Sequence, residues 1–600
     1  MVSKQEAKRS KAEKHWRGVA VSEGVAVGRV LRIHSGVREN IFRATLEEGE
    51  IAREVRRFRA AARLSRRQLH ALKRRAEKAL GAEHAYIFDA HILMLEDSKL
   101  LEDVETYIRR ERANAEWAVK VVADGLLAVY AEIKDDYLRE RSSDIEDVTR
   151  RVLVALSGEP RARRLVKGAV VVAEEMMPSV TAELDFAHVR AIASDAGGWT
   201  SHTAIIARGL GIPAVVGVRD LYRHARTGDE IAVDGLTGEI VLHPTPRTVE
   251  RLQTLTDGAG LPRAGATENV LAPLYTSDGV EIILRANVEL PAEYPGVKQF
   301  GARGIGLYRS EFLVSQRGGV PTEEEQFAAY TEIAELAGAD GAKIRLFDLG
   351  GDKIGIGEPE LERNPALGLR AIRFCLQHED VLRTQARAIL RAAAHGRLDI
   401  VLPMISDTAE VRRARRIIGE ERAQLEAKGL AVGEVRLGAM IEVPSAVLTA
   451  DKLAREVDFF SLGTNDLVQY LLAVDRSNDA VAGWFRTLHP AVLLSIHRAI
   501  GAARTAFIQI IVCGEMAATP AYAAILVGLG ARDLSMTASS IPRLRRTLSG
   551  IDTGSARAIA LECLECETAD DAEELVRVRL GETWPELFPS QFLPVPKGQV

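Results

Sequence analysis

The chain has 600 residues, 47% of them hydrophobic and 27% charged, with a formal net charge of −5. At ~100–200 residues per domain this length implies three to four compact units, and the charge balance gives no signature of nucleic-acid or membrane binding. Four cysteines (Cys375, Cys513, Cys563, Cys566) are too few for a disulfide framework, and with no N-terminal apolar region or long apolar span the expected compartment is a reducing cytoplasm.

Residues 1–17 are basic and polar with no periodic apolar face, so a flexible extension is expected there. Residues 19–33 (VAVSEGVAVGRVLRI) are apolar and β-branched with glycine breaks, which suits short strands. From about Thr45 the period turns helical: Phe58, Leu64, Leu69, Leu72, Ile87, Leu93, Leu95, Val104, Ile108, Trp117, Val121 and Leu126 recur among dense charge. After Gly158-Glu159-Pro160 strand patterns return in GAVVVAEEM, RAIAS and DEIAVDG, with turns at Asp234-Gly235 and Thr237-Gly238. This order predicts a small α/β domain (18–40 and 157–244) interrupted by an all-helical insertion (41–156).

Within the α/β part, Asp195–Gly217 reads DAGGWTSHTAIIARGLGIPAVVG. A strand ends, a Gly-Gly turn follows, and Thr200-Ser201 stand in cap position before an apolar helix beginning near His202. Unpaired amides and the positive end of a helix dipole favour an arriving anion, and neutral imidazole is a nucleophile that can take up and release a phosphoryl group. A capping or core histidine is the alternative for His202 taken alone. The words around it, GG-x-TSH-x-A-x-x-AR-x-x-GIPAVVG, resemble the phosphohistidine swivelling domain shared by Enzyme I of the bacterial sugar phosphotransferase system, pyruvate phosphate dikinase and phosphoenolpyruvate synthase. Trp199 departs from that pattern, standing where the family often has Arg.

A polar, helix-like stretch at 245–259 and a Gly-, Pro- and Ala-containing segment place a linker at 245–272. Beyond it, EIILRANV, GIGLYRS, KIRLFDLGG, DIVLPMIS, RLGAMIEVP, FFSLGTND and IQIIVCGEM alternate with helical segments, which predicts a (β/α)₈ TIM-type barrel over 273–590. Functional groups of such barrels gather at the C-terminal strand ends, where Arg309, Asp348, Lys353, Glu442, Asn465, Asp466 and Cys513 all fall. Arg309, Arg345, Lys353 and Arg476 suit a small polyanion. Glu442 and Asp466 beside a phosphate point to Mg²⁺, and Asn465 can donate to a carboxylate or phosphate. Any single Arg–carboxylate pair is equally well explained as structural; the joint placement is what argues for a site.

The barrel motifs, GIGLYRSEFL, RLFDLGGDK, NPALGLRAIR, LPMIS, GAMIEVPSAV, FFSLGTNDLVQYLLAVDRSN, LHP and CGEMA, resemble in order and spacing the phosphoenolpyruvate-binding barrel of the Enzyme I family. The resemblance implies that Arg309, Arg345, Arg476 and Lys353 contact phosphate and carboxylate, that Glu442 and Asp466 bind Mg²⁺, and that Cys513 protonates C3 of the departing enolate. It also implies that YIFDAHILMLEDSKL and YLRERSSDIEDVTRRVL belong to a helical subdomain docking the phosphocarrier protein HPr, and that the barrel forms a homodimer. Leu346-Phe347 departs where the family has Thr or Ser after the Arg. The implied activity is phosphoryl transfer from phosphoenolpyruvate to His202 and on to HPr. The alternatives are a dikinase or synthase, for which the N-terminal extension leaves no room for a nucleotide domain, and a regulatory scaffold without turnover. The absence of an N-terminal sensory domain disfavours the nitrogen-related paralogue. Cys563-x-x-Cys566 has zinc-motif spacing but no second ligand pair, and reads as structural, as do His84 and His91.

Overall fold

The computed structural model describes residues 13–22, 24–33, 41–80, 87–132, 136–157, 168–176, 188–197, 207, 212–235, 237–258, 272–289, 291–317, 319–350, 364–476, 481–588 and 593. The chain divides into two compact units, Met1–Gly258 and Ala259–Val600.

The first unit carries an eight-stranded sheet. Its strands are β1 (Lys14–Arg17), β2 (Val19–Ser22), β3 (Val25–Ile33), β4 (Ala169–Ala173), β5 (Val189–Ser194), β6 (Ala214–Val216), β7 (Glu230–Asp234) and β8 (Glu239–Leu242), in the order β1-β8-β7-β3-β4-β5-β6-β2. The central strands read as continuous apolar runs because both of their faces are covered: Val170, Val172, Ala191 and Ala193 enter one core, and Val171, Ala173 and Ile192 the other. Strand β3 pairs in parallel with β4 from Arg29–Ala169 to Ile33–Ala173, so the helices between them leave the sheet uninterrupted.

Two expectations change here. Lys14–Arg17 is not flexible extension but an edge strand, pairing antiparallel with Glu239–Leu242. The ladder, a His15–Glu239 contact at 3.1 Å and the packing of half-buried Trp16 on the sheet core decide this, none of which is visible in a four-residue run with a single apolar side chain. Pro246–Gly258 is a helix packed on β3 and β7, and so belongs to the first unit rather than to a linker.

Helices at Ile51–Leu80, Ile87–Glu96, Ser98–Glu111, Ala115–Glu132 and Asp136–Ser157 lie between β3 and β4 in sequence. Phe58, Leu69, Leu95, Val104 and Ile108 are buried in their shared core, while Leu64 and Leu126 are exposed. The buried stripe of the first helix runs Val55, Phe58, Ala61, Ala62, Ser65, Leu69, and its small members hide the period that excludes Leu64.

The second unit is a closed barrel. Strands β10 (Glu281–Val288), β11 (Ile305–Arg309), β12 (Ala342–Arg345), β13 (Leu398–Leu402), β14 (Leu437–Ile441), β15 (Phe459–Leu462), β16 (Gln509–Val512) and β17 (Asp533–Thr537) pair in parallel in that order, and β10 pairs with both β11 and β17. A short β9 (Leu274–Tyr275) adds to β10 antiparallel. Seven strands follow the apolar runs read from sequence; the eighth, DLSMT, is masked there by its polar residues. Outward-facing strand residues and the surrounding helices form one large core.

Candidate active site

Strand alternation sends every second residue into the barrel, where three tiers form along its axis. The lowest is ionic: Arg285 donates to Asp533 at 2.9 Å, Lys343 lies 3.4 Å from Asp399, and Arg436 donates to Asp399 at 2.7 Å. Further along the barrel lies an apolar cluster of Leu307, Val401, Met440, Phe459 and Ile511, which Cys513 joins. Two residues beyond Leu307, Met440, Phe459 and Ile511 come Arg309, Glu442, Ser461 and Cys513 at the C-terminal mouth, and Arg345 pairs in register with Arg309. Arg309 and Glu442 therefore stand directly above an apolar cluster, where electrostatic interactions act at reduced dielectric.

Arg345 is fixed from two sides. It donates through Nε to Glu311 and through Nη1 to Asp348, each at 3.0 Å. The other Asp348 oxygen accepts from Arg370 Nε at 3.0 Å and Nη2 at 2.8 Å, and Glu311 also accepts the Asp348 amide at 2.8 Å. Burial raises Asp348, but the guanidinium groups of Arg345 and Arg370 outweigh it and hold the carboxyl below its ordinary value. Arg309 donates to Glu289 at 3.1 Å. Leu346 and Phe347 are fully buried in the outer core, with the Phe347 amide donating to Gln385 at 3.2 Å, and so pack the barrel wall.

Glu442 is 1% exposed, and its Oε1 accepts the Met404 amide at 2.6 Å. Met404 adopts a φ of 54°, an unfavourable left-handed backbone for methionine that aims this amide at the carboxylate. Oε2 accepts no hydrogen bond from a described residue and lies 2.6 Å from where a Cβ on Gly463 would sit, so only glycine leaves the carboxylate in place. Burial, then the charges of Asp466 and Asp348, push Glu442 up to about 8. Asp466, in the first turn of the helix Thr464–Leu472, lies 3.6 Å from Arg476. Asn465 donates to Glu515 and accepts the Glu515 amide, both at 3.1 Å, which leaves its second amide hydrogen for a ligand.

Cys513 lies 2.8 Å from Ser461 and 3.6 Å from the Leu462 carbonyl. Burial pushes its thiol up to about 11, although the Ser461 hydrogen bond works the other way. A thiol raised this far holds its proton at neutral pH. Glu311, Arg370, Met404 and Ser461 escaped the reading of the sequence. The mark of Ser461 was a lone hydroxyl in the apolar run FFSL. The buried Thr464 hydroxyl, which has no partner among the described residues, also faces this region; a Cβ on Gly514 would come within 1.8 Å of it.

In the first unit, β5 ends at Ser194, and Asp195 accepts the Leu221 and Tyr222 amides at 2.9 and 3.0 Å. Gly197 (φ 108°) and Gly217 (φ 67°) bound the segment; a Cβ on Gly217 would lie 3.1 Å from the Gly197 carbonyl. Trp199, His202 and Lys353 lie outside the described residues.

A family model described as PEP-utilising enzyme, PEP-binding domain matches residues 263–553, and those for the mobile and N-terminal domains of PEP-utilising enzymes match 165–238 and 17–141. A phosphoenolpyruvate-protein phosphotransferase of Bacillus sp. (strain S) is 38% identical over 569 residues, covering 94% of this chain and 98% of its own. One of Staphylococcus aureus is 37% identical, covering 93% and 98%. Among solved structures, the NMR solution structure of an Enzyme I protein is 35% identical and covers 40% of this chain and 98% of its own, with a TM-score of 0.36. Likeness that runs through nearly the whole of both chains makes this chain a member of the PEP-utilising enzyme family, among the phosphoenolpyruvate-protein phosphotransferases.

Proposed function

We propose that the chain transfers the phosphoryl group of phosphoenolpyruvate to His202, releases pyruvate, and passes the phosphoryl group to a histidine of HPr, the first step of a sugar phosphotransferase system. The observation that carries this is the barrel mouth, where an anchored guanidinium, a buried carboxylate and a buried thiol come from the C-terminal ends of β12, β14 and β16. Arg309, Arg345, Lys353 and Arg476 hold the phosphate and carboxylate of the donor, with Asn465 adding a hydrogen bond. They spread the charge of the phosphoryl group while His202 attacks in line. Cys513 then delivers a proton to C3 of the enolate, which becomes pyruvate.

Glu442 and Asp466 fit a magnesium ion. Glu442 keeps one carboxylate oxygen without a hydrogen bond from a described residue. Mg²⁺ takes one or two protein carboxylates and fills its shell with substrate and water. Bound there, it would supply electrophilic stabilisation of phosphoryl and enolate oxygens.

The helices of 41–156 are the proposed docking site for HPr, the sheet of 18–40 and 157–244 is the domain that carries His202, and the barrel, 273–590, is the proposed homodimer contact. The proposed compartment is the cytoplasm; no described helix is long and apolar enough to cross a membrane.

Phosphoenolpyruvate labelled in its phosphoryl group, with Mg²⁺, is expected to leave acid-labile, base-stable label on the protein, and labelled ATP none. HPr should drain it. Full labelling of His202→Ala overturns the assignment, and label that persists with every HPr tested redirects the search for the acceptor.

A further inference from the structure

Ser461, in register with Ile511 on β16, and Cys513, the residue that follows β16, lie with Oγ and Sγ 2.8 Å apart. Ser461 is fully buried, and the sulfur is its sole hydrogen-bond partner among the described residues. A hydroxyl in so apolar a setting costs stability unless that bond repays it, and alanine would fit the space with one polar atom fewer. The thiol has a second neighbour, the Leu462 carbonyl at 3.6 Å, which accepts but cannot donate. Two arrangements follow. If Ser461 accepts from the thiol, the acidic proton is held between the two side chains. If Ser461 donates to the sulfur, the proton has only the long contact to the Leu462 carbonyl, at 3.6 Å, to give up in turning to the mouth.

We propose that Ser461 is a positioning residue for the proton-transfer half of the reaction: its hydroxyl donates to Cys513 Sγ, frees the S–H bond for C3 of the enolate, and stabilises the thiolate left behind. The inference rests on the functional reading above. The P–O bond of phosphoenolpyruvate breaks as the phosphoryl group passes to His202, leaving enolpyruvate as its enolate. The C2–C3 π pair takes the proton from Sγ and forms the new C–H bond, the enolate oxygen becomes the ketone oxygen, and the negative charge passes to sulfur. Solvent returns the proton to Cys513 after pyruvate leaves. A hydrogen bond to a charged acceptor is stronger than one to its neutral form, so the Ser461 contact strengthens as the thiolate forms. Phosphoryl transfer precedes this step and does not use the contact.

The test separates the two halves in single turnovers with labelled phosphoenolpyruvate and Mg²⁺. Label on the protein reads phosphoryl transfer, and excess lactate dehydrogenase, which accepts only the ketone, reads protonation at C3. Ser461→Ala is expected to label within about twofold of the unmodified rate but to form ketone roughly ten- to a hundredfold more slowly, as loss of a charge-assisted hydrogen bond implies. Ser461→Thr, which keeps the hydroxyl, should recover most of that loss. In a Cys513→Ala background, Ser461→Ala should cause no further delay. Ketone appearing in step with label in Ser461→Ala overturns the proposal, as does equal loss of labelling and ketone formation, or an undiminished effect in the Cys513→Ala background. Absence of label on the unmodified protein overturns the functional reading itself, and is scored before any variant.

Discussion

Arg345 donates to Asp348 at 3.0 Å, and Asp348 is in turn held by Arg370, so the orientation of one guanidinium at the barrel mouth is set by a second that the sequence motifs alone do not single out. Asp348→Asn removes the charge that both arginines share and leaves two buried guanidinium groups with a weaker partner. The kcat/KM for phosphoenolpyruvate is expected to fall about thirtyfold, equivalent to roughly 2 kcal/mol of transition-state stabilisation. Steady-state kinetics with saturating HPr checks this; an unchanged kcat/KM refutes it.

Gly463 makes a second prediction. A methyl group there would meet Glu442 Oε2 at 2.6 Å, and the carboxylate cannot retreat without giving up the Met404 amide. Gly463→Ala should raise the Mg²⁺ concentration for half-maximal labelling by about tenfold or more, the range seen when a metal ligand is mispositioned. Thermal unfolding, measured in parallel, distinguishes this from general destabilisation.

The ionic tier at the opposite end predicts a pH dependence of stability. Burial and the nearby Arg285 charge lower Lys343 to about 8, against support from Asp399. A lysine lowered in the folded state has already lost its proton there while the unfolded chain still holds one, so stability from this group rises with pH between about 8 and ~10.4. The full swing is about 3 kcal/mol by the same conversion. Urea midpoints of the unmodified protein and Lys343→Met across pH 7–10 (roughly that window) should therefore diverge in slope, the unmodified chain gaining more. Parallel slopes would sink the idea.

Cys563 and Cys566 should behave as packing residues. Burial pushes the Cys563 thiol up to about 12 and also raises Cys566, which sits beyond the end of the helix Thr553–Leu564. Neither is a ready thiolate. Alkylation of native protein at neutral pH should leave Cys563 unmodified, and purified protein should carry substoichiometric zinc at most; tight stoichiometric zinc lost in Cys563→Ser would contradict this.

What could be read in advance follows the physics of each signal. Arg309, Glu442 and Cys513 were legible because each ends an apolar run that closes into a strand, and the fold sends strand ends to one mouth. Arg370 and Glu311 were not, because their partners come from other strands and helices and no spacing along the chain encodes those pairs. Met404 was hidden in its backbone: the function of that residue is an amide direction, which side-chain chemistry does not reveal. In the helical insertion Leu64 misled because alanine and serine fill the true buried stripe. Strand β1 shows the same limit at a sheet edge, where pairing with β8 outweighs a composition that by itself favours none.

The parallel pairing of β3 with β4 joins Arg29–Ile33 to Ala169–Ala173 across the whole helical insertion. For a chain folding from the coil, that pairing closes one of the longest loops in the first unit, and the entropy of closure must be met before the ladder returns any hydrogen bonds. If the helices assemble first, from contacts much closer in sequence, they replace a long flexible loop by a compact body with fixed ends. In that order of assembly the insertion would act as a folding splint for the sheet, and lengthening its turns should slow refolding of the sheet while leaving its final stability nearly unchanged.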